Sequence, residues 1–305
     1  MENPAIEVRD FRKTYGDFIA VDGISFQVNQ GEIFGLLGPN GAGKTSTLES
    51  LEGLRSPNSG SLRVAGIDPT REPRKLRNVI GVQLQASGLP ESITVNEAMK
   101  FFCAYHGVDA RSDLLDRLGL AEKRNAQYHQ LSTGQQRRLS LALALAHDPS
   151  VLFLDEPTAG LDVATRVELH EIMREQQKAG TTIILATHDM AEAEEMADRI
   201  AILLRGQIAT TGTPIEITAE GAGLTKVSVR TQNSSLSAPG VSFPAVSQQG
   251  AKDEYSIYFS TDIGPTLAAI ISHIEIQKDT LIDLRVERPS LEDRFLEITS
   301  PGGDR

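Results

Sequence analysis

The sequence predicts an α/β protein with a largely parallel central sheet, followed by a small C-terminal α+β appendage. Three observations carry that prediction. Apolar runs short enough for buried strands, at 33–37, 151–154, 182–185 and 200–203, alternate with helical stretches, the pattern of parallel strands covered by helices. Between the first run and a helix start lies Gly38-Pro39-Asn40-Gly41-Ala42-Gly43-Lys44-Thr45, which fills every fixed position of the phosphate-binding loop G-x-x-x-x-G-K-[ST]. Past Gly212-Thr213-Pro214 the alternation stops and the composition turns to Ser, Gly, Gln and Pro.

Taken in order, residues 5–37 alternate short β-type runs with turns: Ile6-Glu7-Val8, Phe18-Ile19-Ala20-Val21 and Ile24-Ser25-Phe26-Gln27-Val28. The last has the period of two that a half-buried strand needs. After the loop, Thr45-Ser46-Thr47-Leu48-Glu49-Ser50-Leu51 opens a helix, Ser56-Pro57-Asn58-Ser59-Gly60 is a turn, and Ser61-Leu62-Arg63-Val64-Ala65 is a strand. Val79-Ile80-Gly81-Val82 predicts a buried strand leading to Gln83-Leu84-Gln85. Residues 87–148 are helical in character. Thr94-x-x-Glu97 is a capping box for a helix over 95–105, and Leu114, Leu115 and Leu118 stripe the next, with Gly119 as its C-cap. A third helix spans 135–147, and two more, over 162–178 and 189–197, separate the returning strands.

In the appendage, Val227 and Val229 mark one strand, residues 255–259 and 281–286 two more, and 263–271 an amphipathic helix. Ser290-x-x-Asp293 caps a final helix through Ile298. The expected domains are therefore 1–220, with a helical subdomain at about 87–148, and 221–305.

A net charge of −11 excludes non-specific nucleic-acid binding and direct docking on an anionic membrane. No apolar run approaches the ~20 residues of a membrane span, so no direct membrane insertion is expected. Met1-Glu2-Asn3-Pro4-Ala5 does not read as a signal peptide. The single cysteine, Cys103, sits beside Phe101 and Phe102 and reads as a packed thiol in a reducing compartment. These features predict a cytosolic protein, held at any membrane by a protein partner.

The chemistry gathers around the loop. Its glycines let successive backbone N–H groups face an anion, the helix start adds its positive dipole end, and Lys44 adds a full charge for the β- and γ-phosphates. The Thr45 hydroxyl is the expected Mg2+ ligand. Asp155 and Glu156 end a buried strand, at the sheet edge where ligands of open α/β sheets bind. Asp155 is then a Mg2+ ligand, directly or through water, and Glu156 is free to orient and deprotonate an attacking water. His188 leaves the next strand on the same edge and can reach the γ-phosphate or the water. Gln85 follows a buried strand there too, and its amide can ligate Mg2+ and water without adding charge. Tyr15, ahead of the loop, either stacks on a nucleotide base or packs as a partly buried tyrosine.

Leu131-Ser132-Thr133-Gly134-Gln135, just before the basic helix, resembles the signature motif of ABC-type ATPases. With it come Tyr15, the phosphate loop, Gln85, Asp155-Glu156, Ala159-Gly160-Leu161-Asp162 and His188, in the family's order over about residues 5–215. The tail Arg288-Pro289-Ser290-Leu291-Glu292-Asp293-Arg294-Phe295-Leu296 resembles, over a shorter stretch, the ending of ATP-binding subunits of daunorubicin-resistance-type drug exporters.

The resemblance implies a P-loop NTPase fold of the ABC nucleotide-binding type, a mixed-sheet core plus helical subdomain, using ATP and Mg2+. It implies that Tyr15 stacks on adenine, that residues 38–46, including Ser46, hold the phosphates and Mg2+, and that Asp155 and Gln85 complete the metal shell. Glu156 would be the base and His188 would meet the γ-phosphate. Ser132, Gly134 and Gln135 would close on ATP held by a second nucleotide-binding subunit, in the simplest case an identical chain, with Asp162 at the seam. A polytopic membrane permease would be the other partner, and the working place the cytoplasmic side of the cell membrane. One position departs from the pattern: Thr133 stands where glycine is commonest. A β-branched residue there is strained only at positive φ, and the change is expected to be benign. Export through a permease is the leading expectation. Import with a regulatory appendage is the alternative, and a soluble ABC protein acting on ribosomes or DNA the more distant one. The cargo stays open.

Overall fold

The computed structural model describes residues 3–83, 88–220, 224–238, 240–287 and 290–299. The chain divides into two compact units, 1–213 and 214–305, so the border falls one short helix ahead of the expected 220/221.

In the first unit, β1 (Ile6–Tyr15) and β2 (Phe18–Val28) pair antiparallel, with Ile6 opposite Val28 and Tyr15 opposite Phe18. β2 joins two runs that the sequence separates. Gly23, at φ 69°, takes the bend between them without leaving the strand. β4 (Ser59–Val64) lies on the other edge of β1, giving an antiparallel sheet β2-β1-β4.

The central sheet runs β5-β6-β7-β3-β8-β9. Its strands β3 (Ile33–Leu37), β5 (Ile80–Gln83), β6 (Val151–Asp155), β7 (Thr182–Thr187) and β8 (Arg199–Leu204) are parallel. The edge strand β9 (Gln207–Gly212), which the sequence reading did not separate, is antiparallel and makes the sheet mixed. Every residue of β3, β6 and β7 is buried, which is why these strands read as unbroken apolar runs.

One core fills the space between the two sheets, where Phe26 stacks on Phe34 with ring centroids 5.2 Å apart. A second joins the other sheet face to the helical region through Met99, Leu115, Leu139, Leu152 and Leu169. α1 (Lys44–Leu51) follows the phosphate loop, and a short α2 (Pro73–Arg77) precedes β5. α3 (Val95–His106) opens on the expected Thr94–Glu97 capping box. α4 (Ser112–Arg117) ends at Leu118, and Gly119 follows at φ 66°, one position beyond the cap.

α5 (Thr133–Ala144) starts before Gln135, because Ser132 caps it, and stops short of His147. α6 (Val163–Lys178) is capped by Asp162, and α7 (Met190–Met196) by Asp189. Cys103 is buried, its thiol 3.5 Å from the Met99 sulfur, a packed core group as expected.

The second unit holds an antiparallel sheet in the order β11-β12-β10-β13, from β10 (Thr225–Thr231), β11 (Val246–Lys252), β12 (Tyr255–Ser260) and β13 (Leu281–Glu287). This is the split βαβ order of ferredoxin-like units, with the first helix reduced to the turn Ser235–Ser237. α9 (Ile263–Ile276) packs Ile270 and Ile274 against Val227, Val229 and Tyr258. α8 (Pro214–Glu220) and α10 (Leu291–Thr299) complete the unit. The Ser290–Asp293 cap forms as expected, Asp293 N–H donating to Ser290 Oγ at 3.2 Å. Arg288 and Pro289 of the tail lie outside the described residues.

Candidate active site

Because β6, β7 and β3 are neighbours, the residues that follow them emerge together at one sheet edge: Glu156 beyond Asp155, His188 beyond Thr187, and Gly38 beyond Leu37. The loop closes tightly on the core. Gly38 lies at φ 155°, and a Cβ on it would stand 2.3 Å from the Leu203 carbonyl oxygen. Gly43, at φ 107°, would meet the Ala20 carbonyl oxygen at 2.5 Å. Both positions therefore accept only glycine.

Lys44 curls back over the loop. Its ammonium donates to the Gly38 carbonyl at 2.7 Å and stands 3.9 Å from Glu156 Oε1. Burial pulls its basicity below the usual lysine value, against the opposing attraction of Glu156 and Asp155. Burial, then the charge of Glu156, pushes the Asp155 carboxyl up. The site thus packs one cation against two acids in little water.

Thr45 Oγ1 donates to Asp155 Oδ2 at 3.5 Å, placing a hydroxyl and a carboxylate side by side. Among the described residues no three His, Cys, Asp or Glu side chains converge as a metal cage. A hydroxyl, one acid and phosphate oxygens are the donor set of Mg2+ at a nucleotide, so the residues fit that ion. Gln85 lies outside the described residues.

Glu156 takes φ 50°, an uncommon conformation for a residue with a Cβ, while its N–H donates to the Ala186 carbonyl at 2.9 Å. His188 Nδ1 lies 2.8 Å from both Glu156 oxygens. An ionised carboxylate only accepts, so the imidazole is the donor. The glutamate side chain is 8% exposed and the histidine 58%, so the imidazole stands between the buried acid and solvent.

A cavity of about 160 Å3 gathers most of the expected binding residues: Tyr15, Pro39, Asn40, Gly41, Gly43, Lys44, Thr45, Ser46, Asp155 and Glu156 line it. Tyr15 is 40% exposed, not packed away; its hydroxyl is 3.3 Å from Ser46 Oγ and Lys13 Nζ lies 5.1 Å from the ring centre. Ala42 is buried, its N–H donating to the Pro39 carbonyl. Phe18, also lining the cavity, escaped the sequence reading; an exposed aromatic just after the Gly16-Asp17 turn was its only signal.

Ser132, Gly134, Gln135 and Asp162 do not line this cavity. Ser132 and Gln135 form a capping box at the start of α5, with Ser132 N–H donating to Gln135 Oε1 at 3.0 Å. Asp162 accepts from Thr165 N–H at 3.0 Å, bonding that holds its carboxyl below the usual aspartate range. A Cβ on Gly134 would find the Thr165 methyl at 3.4 Å, and Thr165 is bonded to Asp162, so the signature and Asp162 are neighbours.

A larger cavity of about 590 Å3, which the sequence did not announce, is walled by Glu52, Gln83, Phe101, Phe102, Tyr105 and His147 among others.

The family described as ABC transporter matches residues 21–159. The chain is 36% identical to the Nod factor export ATP-binding protein I of Ralstonia nicotianae, over 97% of this chain and 94% of that one. This chain belongs to the ABC transporter ATP-binding family. It is also 34% identical to Daunorubicin resistance ATP-binding protein DrrA3 of Streptomyces coeruleorubidus, across 100% of this chain and 98% of that one. An ATP-binding cassette solved as a dimer in a post-hydrolysis state bound to ADP and Pi is similar too. It aligns with a TM-score of 0.63 and 25% identity, over 68% of this chain and 98% of that one.

As an ABC ATPase cassette, the chain binds and hydrolyses ATP. Thr133 is the first residue of α5 and is not among the residues at positive φ, so the departure from the ABC signature introduces no backbone strain, as expected. Among the described residues, no helix of this cassette is long and apolar enough to cross a membrane.

Proposed function

We propose that this chain is the ATP-hydrolysing subunit of an exporter, paired with a second nucleotide-binding subunit and with a polytopic permease at the cytoplasmic side of the cell membrane. One observation carries the reading: Lys44, Asp155 and Glu156 line one cavity with His188 bonded to Glu156, while Ser132, Gly134 and Gln135 of the signature do not line it. One chain holds half of a site. The relatives matched along nearly the whole chain are named for export and drug resistance, which favours export over the import and soluble readings.

In this reading Tyr15 stacks on adenine and the loop N–H groups, from Gly38 to Ser46, take the phosphates. Lys44, released from the Gly38 carbonyl, moves its ammonium to the β- and γ-phosphates. Glu156 draws the proton from the attacking water, and His188, beside that acid, meets the γ-phosphate. Thr45, Asp155 and Gln85 would hold Mg2+, which neutralises phosphate charge. Ser132, Gly134 and Gln135 from the partner subunit close over the γ-phosphate, with Asp162 at the seam. The large cavity beside α3, next to the strand that leads to Gln85, is where the permease would feel that closure.

The deciding experiment is Glu156→Gln in the full chain. It should bind ATP as the parent does, lose turnover by about a hundredfold or more, and accumulate as an ATP-bound dimer on gel filtration. Undiminished turnover removes Glu156 from the role of base.

A further inference from the structure

We propose that Glu192 is a positioning residue for hydrolysis, tying the segment that carries His188 to the segment that carries Glu156 through the hydroxyl of Thr158. The inference rests on the roles given above to Glu156 and His188. Three segments meet behind this half-site: the turn after β6, the middle of α6, and the start of α7 behind His188. One carboxylate touches all three.

Glu192 lies in the first turn of α7 and is 2% exposed. Its Oε1 accepts the Thr158 hydroxyl at 2.6 Å and faces His170 Nε2 of α6 at 3.3 Å. Thr158 stands two residues beyond Glu156 in a turn closed by Ala159 N–H donating to the Glu156 carbonyl. On its other side, Glu192 N–H donates to Asp189 Oδ1 at 3.1 Å, and Asp189 directly follows His188. The covalent path from Glu192 is therefore one helical turn to His188, and from Thr158 two residues to Glu156.

A merely structural role would not choose this group. A buried acid needs donors for its oxygens, and a well-packed apolar side chain of similar size stabilises as well or better. Here Thr158 and His170 share Oε1, while Oε2 has no hydrogen-bond partner in the structure. What the arrangement supplies is registration. Glu156 sits at φ 50°, a conformation that persists only when its surroundings over-determine it. Its 2.8 Å contact with His188 requires the starts of two loops to stay within a few tenths of an ångström. The Thr158–Glu192 bond fastens those loops from beneath.

The test uses the full chain with Thr158→Val, Thr158→Ser and Glu192→Gln, reading ATP turnover, KM, melting temperature and the His188 ring resonance, assigned by its loss in His188→Ala. Thr158→Val should lower kcat about tenfold or more, leave KM within about twofold and the melting temperature near the parent, and shift the His188 resonance. Thr158→Ser should restore kcat to within about threefold and return the resonance, and Glu192→Gln, which keeps an acceptor for Thr158, should fall between the two. Unchanged kcat in Thr158→Val overturns the proposal. So does a stationary His188 resonance, a serine that fails to rescue, or a loss of kcat matched by a rise in KM and a collapse of the melting curve. Failure of the base assignment looks different: Glu156→Gln would then keep its turnover while the His188 resonance still responded to Thr158→Val.

Discussion

At the residue scale, the consequential groups are acids placed where water is scarce. Glu52 caps the end of α1, is 6% exposed, and its Oε2 has no hydrogen-bond partner in the structure. Burial, reinforced by the charges of Asp155 and Glu49, pushes its carboxyl up to about 8. The folded chain therefore keeps a proton that the unfolded chain releases near the ordinary glutamate value. Stability from this group is complete below that value and is lost as pH rises toward 8. Each unit of such a shift corresponds to about 1.4 kcal/mol, so a rise from 4.5 to about 8 is worth on the order of 5 kcal/mol. Glu52→Gln should flatten the decline, leaving the variant the more stable at pH 8 in denaturant titrations run from pH 5 to 8. Parallel curves for the two chains would show that Glu52 ionises freely. Nothing in the sequence marks this residue, whereas Asp155 and Glu156 announce themselves at the end of an apolar run. A motif is a local pattern, but the burial of Glu52 comes from packing against distant segments. The same limit hid Glu192 and Thr158, which meet across 34 positions of chain.

Among the elements, the long periodic helices and the fully buried strands were legible because burial on all sides leaves an unbroken apolar run. The pieces missed were short or half-exposed: α2 lies on the surface, and β9 alternates between exposed and partly buried residues at an edge. The start of α5 shows how one element boundary decides a functional question. The sequence left open whether Thr133 occupies a glycine-only conformation. The structure puts it in the first helical turn after the Ser132 cap, where φ is negative and any residue fits. Thr133→Gly should therefore gain nothing. Turnover should stay within about twofold, and stability should change by no more than about 0.5 kcal/mol, since glycine and threonine are both weak helix formers. A severalfold rise in turnover would mean that the threonine side chain obstructs the partner's nucleotide, a contact outside the single chain.

For the whole molecule, the question is whether one chain or two make a working site. In one chain the signature residues Ser132, Gly134 and Gln135 do not line the cavity at the phosphate loop, and Gly134 has only ordinary contacts around the position of a Cβ. Gly134→Asp should therefore fold and bind ATP, yet fail to turn over, because the added carboxylate would face the γ-phosphate held by the other subunit. Lys44→Ala should fail for the opposite reason, with an intact signature and a loop that cannot hold the phosphates. Mixed in equal amounts, the two inactive chains can form a hybrid dimer. In that hybrid, one site combines the intact loop of the Gly134→Asp chain with the intact signature of the Lys44→Ala chain, and the other site combines both defects. Half of the dimers are hybrids with one good site of two, so about a quarter of parental turnover should return on mixing. A site complete within one chain predicts no recovery at any ratio. Recovery that rises with total concentration at a fixed ratio would place the second-order step at dimer closure, where on the proposed function two copies of Ser132 and Gly134 would each meet the other's Lys44.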